Sequence, residues 1–258
     1  MIMGVSGNTG LIFNIGEQGC GKSFLLNQVM DVEGFQPKEK GIKLWSKAFY
    51  RDDENLNLFF VDVEGFGKDE KFNNFVWSLA FLTGTIIIYS SNGMEEHNLA
   101  LMNSFEFLNK FLVISNDEVE NGYMMSYYAP KFIWLAKDHL IEERDTNGKQ
   151  MLPDKYMEMI LNEETNNPSI EYTKRFLINI IKDRTCISFE TLDNPRFNNP
   201  QLDELYTYNL SVLREKIYSR SFNKYFDGVS FSSRMLINFI SGFIELFNND
   251  KYIEYHDM

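Results

Sequence analysis

The chain has little of what marks secreted, metal-binding or membrane-spanning proteins. Two cysteines, Cys20 and Cys186, in 258 residues exclude a disulfide framework, and both read as reduced small residues. Three histidines, His97, His139 and His256, lack metal-ligand spacing. The run from Met235 to Phe247 is mostly apolar but only 13 residues long, too short to cross a bilayer. It reads as a terminal helix packed on the domain, with a membrane or partner helix as the alternative. Met1-Ile2-Met3-Gly4-Val5 has no basic stretch leading into an apolar core of signal length, and no prenylation cysteine stands at the other end, so a cytoplasmic address is expected. Positive charge is scarce too: 25 Lys and Arg against 37 Asp and Glu give a net charge of −12, which argues against nucleic-acid binding and against docking on anionic lipid.

What is present begins at Gly16. Residues 16–23 read Gly-Glu-Gln-Gly-Cys-Gly-Lys-Ser, a complete G-x-x-x-x-G-K-S loop between an apolar run, Leu11 to Ile15, and a helix-forming run, Phe24 to Met30. The spacing has a cause. Glycines let successive backbone N–H groups turn inward around phosphates, Lys22 adds a charge for the outer phosphates, and the Ser23 hydroxyl ligates Mg²⁺. The helix that follows adds its dipole. Gly16, Gln18, Gly19, Cys20, Gly21, Lys22, Ser23 and Phe24 are therefore the candidate phosphate cradle of a nucleotide-binding protein.

Other parts of a nucleotide switch follow in order. Leu56 to Val61 reads as a buried strand and ends on Asp62-Val63-Glu64-Gly65, the Asp-x-x-Gly pattern in which the aspartate reaches Mg²⁺ through water and the glycine amide meets the γ-phosphate. Glu64 joins Lys22 and Ser23 as a catalytic candidate. Phe132 to Leu135 reads as another short buried strand that delivers Lys137-Asp138 at its carboxyl end, where open α/β sheets place base-reading groups. A carboxylate at 138 accepts from the ring N–H and exocyclic amine of guanine. With 44% apolar and 15% aromatic residues, the chain can bury one α/β core, and strands alternating with helical stretches predict a mostly parallel sheet flanked by helices. Asn-rich stretches at Glu163 to Pro168 and Asn194 to Pro200 read as loops, Leu202 to Ile217 as helix, and no repeat or linker divides the chain.

These segments together resemble the large GTPase domain of the guanylate-binding protein and atlastin group, of the dynamin superfamily. Besides the loop, the resemblance is carried by Gly41-Ile42-x-x-Trp45, Asp62 to Gly67, Phe75 to Ala80 running into Ile86 to Gly93, Phe132 to Asp138, and Arg184 to Phe189 with Pro195 close behind. It implies a P-loop GTPase fold over residues 1–258, with a guanine cap at about 190–215 and a helical part at about 202–258. It also implies GTP and GDP with Mg²⁺ as ligands, and a homodimer formed across the nucleotide face.

The departures from that pattern concern catalysis. Gly19 stands where the family carries an arginine finger, a group that supplies roughly 10³-fold or more in rate. Glu39 stands where the switch threonine is expected, and no threonine occurs from Phe24 to Glu64. A glutamate beside a polyanion points into solvent more readily than it ligates the metal. Arg51, the nearest arginine in sequence, reads as a surface residue of a turn with Asp52 and Asp53. Slow hydrolysis is expected; a GTP-binding pseudoenzyme and an ATP-using P-loop protein are the alternatives. Cys20 is expected to be a small residue that fits the loop, with a thiol acidified by the loop amides and Lys22 as the other reading.

Overall fold

Interior strands of a parallel sheet are buried on both faces and so lack polar alternation. The apolar runs of this chain become such strands. In the computed structural model, which describes residues 7–35, 40–111, 125–137, 147–189, 200–226 and 228–249 with Gly122, Ile141 and Arg144, β1 (Asn8–Gly16) lies at the centre of the sheet. After it come α1 (Lys22–Met30), β2 (Ile42–Leu44), β3 (Phe49–Arg51), β4 (Leu56–Val63), α2 (Glu70–Thr83) and β5 (Gly84–Asn92). The chain continues through α3 (Glu96–Ala100), α4 (Ser104–Phe111), α5 (Met125–Tyr128), β6 (Lys131–Lys137), α6 (Pro153–Asn162), α7 (Pro168–Asn179) and β7 (Arg184–Phe189). It ends with α8 (Pro200–Arg220), a small hairpin of β8 (Tyr225–Phe226) and β9 (Val229–Ser230), and α9 (Ser233–Asn248). The seven-stranded sheet has β4-β1-β5-β6-β7 in parallel, and the short β2 and β3 pair antiparallel along the outer side of β4.

Alternate residues of each strand feed two cores. Ile12, Phe60, Ile88 and Leu135 pack under α1 and α8, with Leu25, Leu26 and Leu213 closing that layer. Phe13, Val61, Tyr89 and Trp134 face the other way, against Trp77, Phe105, Phe176 and Phe243 from α2, α4, α7 and α9. Helix α1, which follows β1, therefore covers one face, while α2, which follows β4, covers the opposite face. The connections leave adjacent parallel strands in opposite directions and open a crevice at their carboxyl ends, where open α/β sheets bind ligands.

The carboxyl-terminal run folds as the packed helix expected of it. Phe243 and Phe247 of α9 bury against Phe75, with ring centroids 5.4 and 5.1 Å away. No described helix is long and apolar enough to cross a membrane. Residues 190–199, the first part of the expected guanine cap, lie outside the described residues, and the rest of that range lies in α8.

Long-range ties fasten the carboxyl-terminal part to the rest of the fold. Arg214 of α8 donates to the carbonyls of Val29 and Gln28 at the end of α1. Lys224 is fully buried and donates to the carbonyls of Phe81 (2.6 Å) and Gly84 (3.0 Å), where α2 turns into β5. Arg51 corrects a sequence-based expectation. It does sit beside Asp53, with a bidentate pair at 2.8 Å, but it is buried and not at the surface, because its other guanidinium nitrogen donates to the carbonyl of Ser221. It pairs with Leu56, the first residue of β4, at the end of the sheet away from the phosphate loop, and so cannot serve the phosphates.

Candidate phosphate-binding site

The G-x-x-x-x-G-K-S loop leaves β1 at Gly16 and enters α1 at Lys22, the strand–loop–helix context its sequence predicts. The Lys22 side chain is 6% exposed and donates to the carbonyls of Glu17 (2.7 Å) and Gly16 (3.3 Å). Burial lowers its pKa, and the carboxylates of Asp62 and Glu17 pull it back up. Glu17 is a strut: its carboxylate accepts from the Asn92 backbone N–H at the end of β5, 2.9 Å away.

Ser23 and Asp62, 39 residues apart in sequence, meet. The Ser23 hydroxyl donates to Asp62 Oδ2 at 2.5 Å, and the side-chain amide of Asn14 on β1 donates to Asp62 Oδ1 at 2.9 Å. Burial raises the Asp62 pKa, opposed by these two donors and by Lys22. Beyond Asp62, the Glu64 N–H donates to the Gly41 carbonyl (3.0 Å) and the Phe66 N–H to the Gly16 carbonyl (2.8 Å), so the Asp-x-x-Gly segment is laced to the phosphate loop. Gly65 is required by that closeness: a Cβ there would lie 2.2 Å from Gln18 Cα. Phe66 is buried and stacks on Trp77 at 5.5 Å, so it belongs to the core and cannot orient a water.

A cavity of about 410 Å³ opens between these two segments. Gln18, Gly19, Gly21, Lys22, Ser23 and Phe24 form one wall; Lys40, Val63, Glu64 and Gly65 form the other. Gly19 has φ +83° with open space around it, so an arginine there would find room but would meet backbone strain. Cys20 lies behind the loop, buried, with its thiol donating to the Glu17 carbonyl at 3.0 Å. Burial raises its pKa more than Lys22 and Lys137 lower it, which overturns the reading of an acidified thiol.

Lys137, at the end of β6, is buried and donates to the Cys20 carbonyl, so it reaches the loop from two strands away, across β5. Asp138 and Glu39 lie outside the described residues. The structure thus brings together the loop, Asp62, Glu64, Gly65 and Lys137. Reading the sequence missed two residues. Asn14 carried a signal, a polar residue inside an apolar strand two positions before the first loop glycine. Lys40 carried none beyond its place before Gly41.

The donor set suits a hard cation. A hydroxyl and a carboxylate are the oxygen ligands that Mg²⁺ takes, and Mg²⁺ completes its shell with phosphates and waters instead of an all-protein cage. No group of three or more His, Cys, Asp or Glu side chains able to hold a metal occurs among the described residues.

Residues 12–224 match the family model of the guanylate-binding protein N-terminal domain. Human guanylate-binding protein 7 is 26% identical over 178 residues, covering 62% of this chain and 28% of that protein, so the chain spans under a third of its relative's length. Among solved structures, a point variant of Era from Aquifex aeolicus bound to GDP and AlF4⁻ is 16% identical, with a TM-score of 0.37 over 79% of this chain and 56% of that one, an overlap too loose to weigh on the fold. The matched segment contains the whole of the phosphate loop after Gly16, the Ser23–Asp62 contact and Lys137, and the chain belongs to the guanylate-binding protein N-terminal domain family.

Proposed function

We propose that this chain binds GTP and GDP with Mg²⁺ in the cavity above the loop and hydrolyses GTP slowly. The observation that carries the reading is that Lys22 and Ser23 share the wall of one cavity, with Asp62 held behind it 2.5 Å from Ser23 Oγ. Lys22 binds the outer phosphates, Ser23 and Asp62 hold the metal, and the Gly65 amide meets the γ-phosphate. Mg²⁺ held by Ser23 and Asp62 would supply positive charge to offset that of the phosphates. Glu64, the one acidic residue among those lining the cavity, orients the attacking water. Asp138 reads guanine, a role that rests on its place in the sequence after β6, and Lys137 supports the loop beneath the nucleotide.

Hydrolysis is slow because Gly19 offers no guanidinium to the transferring phosphoryl group. The expected rate is nearer the roughly 10⁻⁴ per second of an unaided small GTPase than the roughly 10⁻² per second of an enzyme with an arginine in cis. GTP or a transition-state mimic draws two copies together across the nucleotide face, and added salt favours this by screening a net charge of −12 per chain. The setting is the cytoplasm.

Titration with labelled GTP, GDP and ATP, with and without Mg²⁺, followed by phosphate release, tests the reading. Mg²⁺-dependent binding of both guanine nucleotides, with ATP much weaker, is expected. Equal affinity for ATP and GTP overturns the guanine assignment. Turnover of many per minute overturns the slow rate, and one unchanged mass by light scattering in every nucleotide state overturns the dimer.

A further inference from the structure

One of the polar side chains buried in the sheet stands directly behind the site. Asn14 sits on β1 between Phe13 and Ile15, 2% exposed, in register with Asp62 on β4 and Ile88 on β5. On parallel neighbours in register the two side chains stand on the same face of the sheet. The Asn14 amide donates to Asp62 Oδ1 at 2.9 Å, while Oδ2, the other oxygen, accepts from Ser23 at 2.5 Å. A carboxylate on a buried strand has two ways to present its oxygens. Here one oxygen is committed to the sheet and the other to Ser23, which lines the cavity.

We infer that Asn14 is a positioning residue for the metal: it holds the Asp62 carboxylate in the one orientation that shares an oxygen with Ser23, and so sets how tightly Mg²⁺ binds with the nucleotide. The inference rests on the proposed nucleotide site but concerns a residue that touches neither nucleotide nor metal. The chemistry is that of an outer-shell partner, whose loss typically weakens metal affinity roughly 10- to 100-fold. An apolar residue of the same size would leave Asp62 Oδ1 buried without a donor, and the carboxylate would rotate to recover one from Ser23 or from Lys22.

The experiment is a titration of labelled GDP across Mg²⁺ concentration and in EDTA, for wild type, Asn14→Leu and Asn14→Ser. Asn14→Leu keeps the branched shape, slightly enlarged, and removes the donor. Asn14→Ser keeps the position polar but withdraws the group from reach, and covers the event that leucine beside a carboxylate prevents folding. Both are expected to raise the Mg²⁺ concentration at half-maximal tightening by roughly 10- to 100-fold. Affinity in EDTA stays within about twofold of wild type, a separation that general loosening of the sheet would not produce. An unchanged Mg²⁺ dependence in the folded Asn14→Ser protein overturns the inference, as does an equal loss of affinity with and without Mg²⁺. Wild type that binds GDP no better with Mg²⁺ than without overturns the proposed metal site itself, and this inference with it.

Discussion

Lys22 and Lys224 are both buried, and both direct their ammonium groups at two main-chain carbonyls, but they lie at opposite ends of the sheet. Lys22 stands where β1 ends, on the wall of a cavity, with the charges of Asp62 and Glu17 acting on it. Lys224 stands where β5 begins, enclosed by protein, and burial alone drives its pKa well down. What sets Lys22, the proposed phosphate ligand, apart from a structural pin is therefore not the buried cation or its carbonyl cradle. It is the open space beside the cation and the oxyanion chemistry around that space.

Substituting each lysine separates the two roles. Lys22→Ala is expected to lower GTP affinity on the order of 1,000-fold, the loss of two charge-assisted hydrogen bonds at about 2 kcal/mol each, while the thermal midpoint hardly moves. Nucleotide titration and a melting curve on the same sample check this.

Lys224→Ala should do the reverse, costing on the order of 3 kcal/mol in urea unfolding through a cavity and two stranded carbonyls, with GTP affinity unchanged. Its pH dependence has a definite sign. The folded protein holds this proton less tightly than the unfolded chain does, so unfolding takes up protons, and the Lys224 contribution grows as pH rises from the lowered folded value toward the ordinary 10.5. The stability gap between wild type and Lys224→Ala is expected to widen between pH 7 and pH 10. A gap that narrows means that the ammonium is stabilised where it lies.

At Gly19, charge is added to the cavity end instead of removed. The position has φ +83°, so Gly19→Arg should cost about 1 kcal/mol of stability and raise phosphate release less than about tenfold, alone or with Glu39→Thr. A larger rise would show that the loop relaxes to admit the side chain. The smallest effect is expected at the cysteines. Cys20 and Cys186 are both buried with thiol pKa values raised, so a maleimide at neutral pH should label neither in the folded protein and both after unfolding.

Much of the cavity end is legible in the sequence, and little of the opposite end. The loop, Asp62, Gly65 and Lys137 follow buried strands at fixed offsets, and the apolar runs that become β1, β4 and β6 stand out from their surroundings. Lys224 ends a short mixed segment, Ser221-Phe222-Asn223-Lys224, with no periodicity to reveal that its partners lie about 140 positions earlier in the chain. Arg51 misleads for the same reason. Its acidic neighbours suggest a solvated turn, and the carbonyl that draws it inward belongs to Ser221. The strands β2 and β3, three residues each, are too short for a period-two pattern to register.

Arg214 gives α1 a mechanical character. This helix is a rod of nine residues, about 13 Å long, whose first turn carries Lys22 and Ser23 and whose last carbonyls are gripped from α8. A rod held at both ends transmits axial displacement. The Arg214 clasp therefore joins the far end of the helix that carries Lys22 and Ser23 to α8, fastening the two helices at the end away from the cavity.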